Sequence, residues 1–198
     1  MNLRQKLSAD EMRERIVAVA EEHFRRIGYA KTAVADIAAA LGMSPANVYR
    51  FFPSKSAINN AICARIMIEV DQLISGIFER DIPPAEKLKA FFLELHRYNK
   101  ATLTHEHRLH DMVEVAMAEN WPAVDAHCEC MIGTLTRILA EGVRKGDFRA
   151  VEPALFARTA FESASKVIHP TLIAHCADQD QEDQVHRISD LILAALRP

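Results

Sequence analysis

Two stretches of this 198-residue chain hold side chains whose types and spacing could do chemistry. The first runs His105, Glu106, His107, His110, Asp111 and Glu114, with His127, Cys128, Glu129 and Cys130 a little further on. On a helix, His107, His110, Asp111 and Glu114 would share a face, as would His127 and Cys130, at spacings of three and four. Two such helices brought together could bind zinc, for sensing or for hydrolysis. A solvated polar face with small buried cysteines accounts for the same residues. No separated pair of CxxC or HxxxH motifs supports a metal, and no zincin or nucleophile-elbow motif is present. The reading therefore assigns no catalytic residue, no metal and no cofactor, and an enzyme is not expected.

The second stretch is Asp36 to Phe52. Two short helices that cross closely need a small residue at the crossing, and Ala38 is placed for it. Four residues later the chain needs a left-handed turn, and Gly42 supplies it. Six residues further, Val48 faces back into a small core with Ile37, Leu41 and Phe51. The outward face of the second of these helices offers Ser44, Ala46, Asn47, Tyr49 and Arg50, small or polar side chains suited to a groove. An ordinary helical hairpin inside a bundle would not need that face.

The elements that must position these residues can be read from caps and periodicity. Ser8-Ala9-Asp10-Glu11 is a capping box, and Ile16, Ala20, Phe24 and Ile27 recur at helical spacing until Gly28 stops the helix, giving 9–27. Thr32 is expected to cap a short helix over 33–40. Ser44-Pro45 opens a third, since serine caps well and proline at the first helical position loses no needed donor. Ser54 caps a long fourth helix with Ile58, Ile62, Ile66, Val70, Leu73 and Ile77 as its apolar positions. Past Pro83-Pro84 the pattern predicts helices over 85–101, 103–119, 122–145, 153–176 and 181–196. The fold class expected is all-α with about nine helices. A three-helix domain over 1–58 would precede a helical bundle over 59–198.

Composition agrees. Gly and Pro number only 6 and 8, too few for the turns of an all-β fold. No run approaches 18 apolar residues, so no membrane span is expected, and no apolar run of signal-peptide length opens the chain. Four cysteines make no disulfide framework, and a cytoplasmic protein is expected. The net charge of −3 hides an asymmetry: residues 1–58 carry nine Lys/Arg against six Asp/Glu, and the remainder fifteen against twenty-one. A basic head on an acidic body suggests two modules with different partners, and the sign of the head suits phosphate.

Residues 9–58 resemble the DNA-binding domain of the TetR/AcrR family of bacterial transcriptional regulators. The residues that carry the resemblance are Gly28-Tyr29-Ala30-Lys31-Thr32, Asp36-Ile37-Ala38, Leu41-Gly42-Met43-Ser44 and Tyr49-Arg50-Phe51-Phe52-Pro53-Ser54-Lys55. Beyond them the likeness is one of architecture and length. The resemblance implies a homodimeric repressor, released from a near-palindromic operator on double-stranded DNA by a small-molecule effector. It implies DNA contacts from Lys31, Thr32, Ser44, Pro45, Ala46, Asn47, Tyr49, Arg50 and Lys55. Thr32 and the amides behind it would hold a phosphate at a helix start. Asn47 is the best candidate base reader, because an amide can pair with adenine's exposed edge, and Ala46 is short enough to approach a thymine methyl. Ser44, Tyr49 and Lys55 match the family's phosphate contacts, and Arg50 suits either phosphate or base.

The family pairs through its last two long helices, which here carry Phe156, Ala160, Ala164 and Val167, then Val185, Ile188, Leu191, Ile192 and Ala195. Packing within one subunit would explain either stripe equally well; the resemblance favours the interface. Effector would bind among the middle helices and pivot the fourth. Phe91, Phe92, His96, His110, Met112, Met117, Trp121 and Phe161 are the candidate pocket residues, suited to an apolar or aromatic molecule.

Overall fold

The computed structural model describes residues 8–104, 112, 115, 122–176 and 180–198. Among them are ten helices with defined bounds and no strand. They are α1 (Ala9–Ile27), α2 (Val34–Ala40), α3 (Pro45–Tyr49), α4 (Lys55–Phe78), α5 (Pro84–Thr104), α6 (Pro122–Lys145), α7 (Pro153–Ser163), α8 (Ser165–Ile168), α9 (Pro170–His175) and α10 (Glu182–Ala195). Met112 and Val115 are helical too; the rest of the helix expected over 103–119, past Thr104, lies outside the described residues.

The chain divides into two compact units. One is Met1–Ile66 with Glu106–Glu119, the other Met67–His105 with Asn120–Pro198. The division falls within α4, several residues after the expected boundary at 58, because Ile58 and Ile62 are buried in the core of the first unit. That core is completed by Ile16, Ala20 and Phe24 of α1, Ile37 and Ala38 of α2, and Val48 of α3. In the second unit, Ile74 and Ile77 of α4 pack with Leu88, Phe91 and Phe92 of α5 and with Leu135, Ile138 and Leu139 of α6. Gly142 is required there, since a methyl at that position would overlap the Phe148 ring.

The caps form as read at three helix starts. Ser8 and Glu11 bond reciprocally, at 2.7 Å and 3.1 Å, and the Ser44 and Ser54 hydroxyls accept from the amides of Asn47 and Ala57. Two expectations are corrected. Thr32 does not cap α2: Ala33 holds the cap position, and the Asp36 carboxylate accepts from its amide at 2.8 Å. The helix expected over 153–176 is three helices. Pro170 has no amide hydrogen and forces the residue before it out of helical geometry, and His169 accordingly has φ −75° and ψ 126°. An earlier break falls at Ala164, which ends α7 with ψ 0°.

Candidate nucleic-acid interface

The turn between α2 and α3 closes as a Schellman motif. Gly42 takes φ +65°, the Met43 amide donates to the Ala38 carbonyl at 2.8 Å, and the Gly42 amide donates to that of Ala39 at 3.0 Å. Ala38 and Val48 are fully buried on either side of the turn. With Val48 pinned inward, the rest of α3 and its flanks must face out: Ser44, Pro45, Ala46, Asn47, Tyr49 and Arg50 are all exposed. Tyr49 is 49% exposed, a large ring left on the surface with no place in the core. Lys31 is exposed as well, on the turn before α2.

The remaining two candidates sit differently. Thr32 is buried, and its hydroxyl donates to the Gly28 carbonyl at 2.9 Å, so it braces the turn between α1 and α2. Lys55, at the start of α4, donates from Nζ to the carbonyls of Tyr29 at 2.9 Å and Thr32 at 3.1 Å. Its ammonium also lies 4.4 Å from the centroid of the Tyr29 ring. This places Lys55 as a clamp on the same turn. Sequence reasoning missed a second clamp: Arg13 of α1 donates from Nη1 to the Phe51 carbonyl at 2.7 Å and stacks over Phe52. Together these hold both ends of the helical pair on α1 and α4.

The clamp and the phosphate contact make different predictions for Lys55→Met. As a clamp, Lys55 contributes about 1–2 kcal/mol through its charged hydrogen bonds, so the variant should unfold at lower urea and bind all DNA sequences less well. Unchanged stability, with the salt slope of DNA binding shallower by about one, would make Lys55 a phosphate contact instead.

Of the pocket candidates, Phe91, Phe92 and His96 are fully buried on α5 and Phe161 is half-buried on α7, all in the second unit. Met112 is buried in the core of the first unit, where its carbonyl accepts from Asn59 Nδ2 at 3.1 Å. His110, Met117 and Trp121 lie outside the described residues. Of the interface candidates, Ala160, Ala164, Val167, Val185 and Ile192 are buried in the second unit's own core. Phe156 and Ile188 are partly buried against it, while Leu191 and Ala195 are exposed.

Of the residues read for a metal, His105, Glu106, His107, His110, Asp111 and Glu114 lie outside the described residues. His127 Nδ1 is 2.8 Å from Asp71 Oδ1. Burial pushes the Cys128 and Cys130 thiols above their ordinary values, away from the thiolate that ligates metal. Among the described residues, no group of three or more His, Cys, Asp or Glu is placed to hold a metal ion. No described helix is long and apolar enough to cross a membrane.

Comparison with known proteins covers both units. Residues 16–62 match the family model described as bacterial regulatory proteins, tetR family, and residues 84–189 match the tetracyclin repressor-like C-terminal domain. Among curated proteins there is no significant match. Among solved structures, the fatty acid degradation regulator FadR from Bacillus halodurans is 19% identical, with 96% of this chain and 97% of that one covered at a TM-score of 0.67. FadR from Bacillus subtilis, solved in complex with stearoyl-CoA, is 17% identical over 93% and 99% at a TM-score of 0.67. The TetR family transcriptional regulator PfmR from Thermus thermophilus is 26% identical over 93% and 100% at a TM-score of 0.58.

Proposed function

Because the chain belongs to the TetR family of bacterial DNA-binding regulators, we propose that it is a homodimeric repressor whose first unit reads one half of a near-palindromic operator and whose second unit binds a small-molecule effector. The observation that carries this reading is the Schellman turn that buries Val48 and turns Ser44, Ala46, Asn47, Tyr49 and Arg50 outward. In this arrangement α3 enters the major groove. The Asn47 amide reads a base edge, Ser44 and Tyr49 take phosphates with exposed Lys31 and the amides at the start of α2, and Arg50 serves either. Such a regulator works where the genome is, in the bacterial cytoplasm, and needs no cofactor and no catalytic residue.

One head specifies a few base pairs only. Two heads about 34–36 Å apart read half-sites separated by one helical turn, which is why a dimer is needed. Support for pairing comes from a groove of about 300 Å³ on the second unit, whose apolar wall includes Ala164, Val167, Ile188 and Leu191. Effector then acts by binding the DNA-incompetent arrangement more tightly than the competent one, since equal affinity for both would shift nothing. The known ligand of one structural relative, stearoyl-CoA on FadR, is compatible with a mostly apolar effector here.

The test is selection of bound DNA from a random pool by the purified chain at stated salt. An enriched near-palindrome is expected, and no enrichment from a folded protein would remove the reading. Repeating the selection with Asn47→Ala should relax the preference at one position of each half-site, a loss of about 1–3 kcal/mol of discrimination. Uniform weakening on every sequence would deny Asn47 its role as a base reader.

A further inference from the structure

The helix α3 is five residues long, too short to hold its own shape in water. Its buried side chain is Val48, so the core fixes its depth and leaves its tilt to the two ends. The N-terminal end is tied locally, by the Schellman turn and by the Ser44 hydroxyl, which accepts from the Asn47 amide at 3.3 Å. At the other end the amides of Phe51 and Phe52 both donate to the Val48 carbonyl, at 2.9 and 3.1 Å, and the helix stops. A helix end leaves carbonyls that no further turn satisfies. The carbonyl of Phe51 is taken by a side chain from another helix, Arg13 of α1, whose Nη1 donates to it at 2.7 Å. The same guanidinium lies 4.5 Å from the centroid of the Phe52 ring, and Phe52 is buried in the core.

Bond and stack together fix more than either does alone. A planar fork that stacks by one face and donates in its own plane sets both the distance and the direction of the Phe51 carbonyl. The end of α3 therefore cannot swing without breaking a charge-assisted hydrogen bond. The two kinds of DNA contact differ in how much they need this. Hydrogen bonds from Asn47 to a base edge weaken steeply when misdirected. Attraction of a cation to phosphate falls off only slowly with distance, and Lys31 with the start of α2 lies on the α1–α2 side of the unit, away from the Phe51 carbonyl in sequence.

The structure assigns to Arg13 a part in sequence recognition: it is a positioning residue that sets the tilt at which α3 presents Asn47 and its neighbours to the bases. This rests on the reading of the first unit as a half-site reader.

The experiment uses the full chain and two variants. Arg13→Met keeps an unbranched side chain over Phe52 and loses the donor and the charge; Arg13→Lys keeps a charge and a donor but not the planar fork. Each is titrated with the selected operator and with a scrambled duplex of the same length over a series of salt concentrations, at a temperature where circular dichroism shows all three proteins folded. For Arg13→Met, the ratio of operator to scrambled affinity should fall at least about fivefold, the share of one base contact, while the slope of log affinity on log salt stays within about half a unit of the wild type. Arg13→Lys should recover part of the ratio. In hydrogen exchange without DNA, the Phe51 and Phe52 amides should exchange faster in Arg13→Met, and those of Gly42 and Met43 should not. A ratio equal to the wild type's in both variants would overturn the assignment and leave Arg13 a stabilising contact alone. Equal loss on both duplexes, with a slope shallower by about one, would make it a phosphate contact and overturn the assignment as well. If the unmodified chain enriches no operator, the half-site reader falls and the assignment with it. An operator enriched by the wild type, with the ratio unchanged in Arg13→Met, removes the assignment alone.

Discussion

Leu191→Glu is expected to convert the chain to monomers and to lower its affinity for the selected operator by about 10²–10⁴, the advantage that linking two half-site readers confers. Leu191 is 65% exposed, so the substitution takes nothing from the core of its own subunit. It does place a carboxylate on the apolar groove formed with Ala164, Val167 and Ile188, where a partner's surface would have to strip it of water. Removing residues 178–198 would be a poorer test. That segment carries Val185, Ile192 and Leu196, all buried in the second unit, and its loss would unfold what it was meant to separate. Sedimentation equilibrium gives the first readout and a DNA titration the second. A Leu191→Glu chain that stays dimeric and keeps its operator affinity would move the interface away from this groove.

What could be read ahead of the structure follows the range of the interactions. The reading unit was legible because its determinants are local: Ala38, Gly42 and Val48 lie within ten residues and each answers to a single backbone requirement. The Ser8–Glu11 box and the Ser44 and Ser54 caps were legible for the same reason. The carbonyl partners that Lys55 and Arg13 hold were not legible, because they lie 26 and 38 residues away at the furthest and no spacing rule encodes that distance. The stripe from Phe156 to Val167 continues at helical period through Thr171 to Ala174, which hid the break that Pro170 imposes on His169. Periodicity also cannot separate a core face from a binding face. Hence Phe91 and Phe92 turned out fully buried, and Met112 belongs to the other unit.

A charge buried in the second unit sets the other large effect. Lys87 and Glu141, with side chains 6% and 8% exposed, meet at 2.8 Å. The Lys87 ammonium also donates to the Phe78 carbonyl at 2.8 Å, and the other Glu141 oxygen accepts from Lys145 at 2.6 Å. Glu141→Ala leaves the Lys87 ammonium without its carboxylate in a place water hardly reaches, and should cost about 3–5 kcal/mol in urea unfolding at neutral pH. Lys145→Ala removes only the outer partner, whose side chain is 51% exposed, and should cost less than about 1 kcal/mol. Replacing both inner partners, Lys87→Met with Glu141→Leu, should restore much of the loss, because the penalty of the single change is the stranded charge rather than the pair's net worth. The pH dependence has a definite sign. Hydrogen bonds from Lys145 and then Lys87 hold the Glu141 carboxyl below its ordinary value of 4.5, so its contribution is complete above that value and is lost as pH falls through the lowered one. Glu141→Gln should therefore flatten the acid side of the stability profile while lowering its neutral plateau. A single substitution that costs under about 1 kcal/mol would mean that the Lys87 ammonium reaches water once its partner is gone, and that the second unit's core is looser at that end than the packing of Phe78 and Leu88 implies.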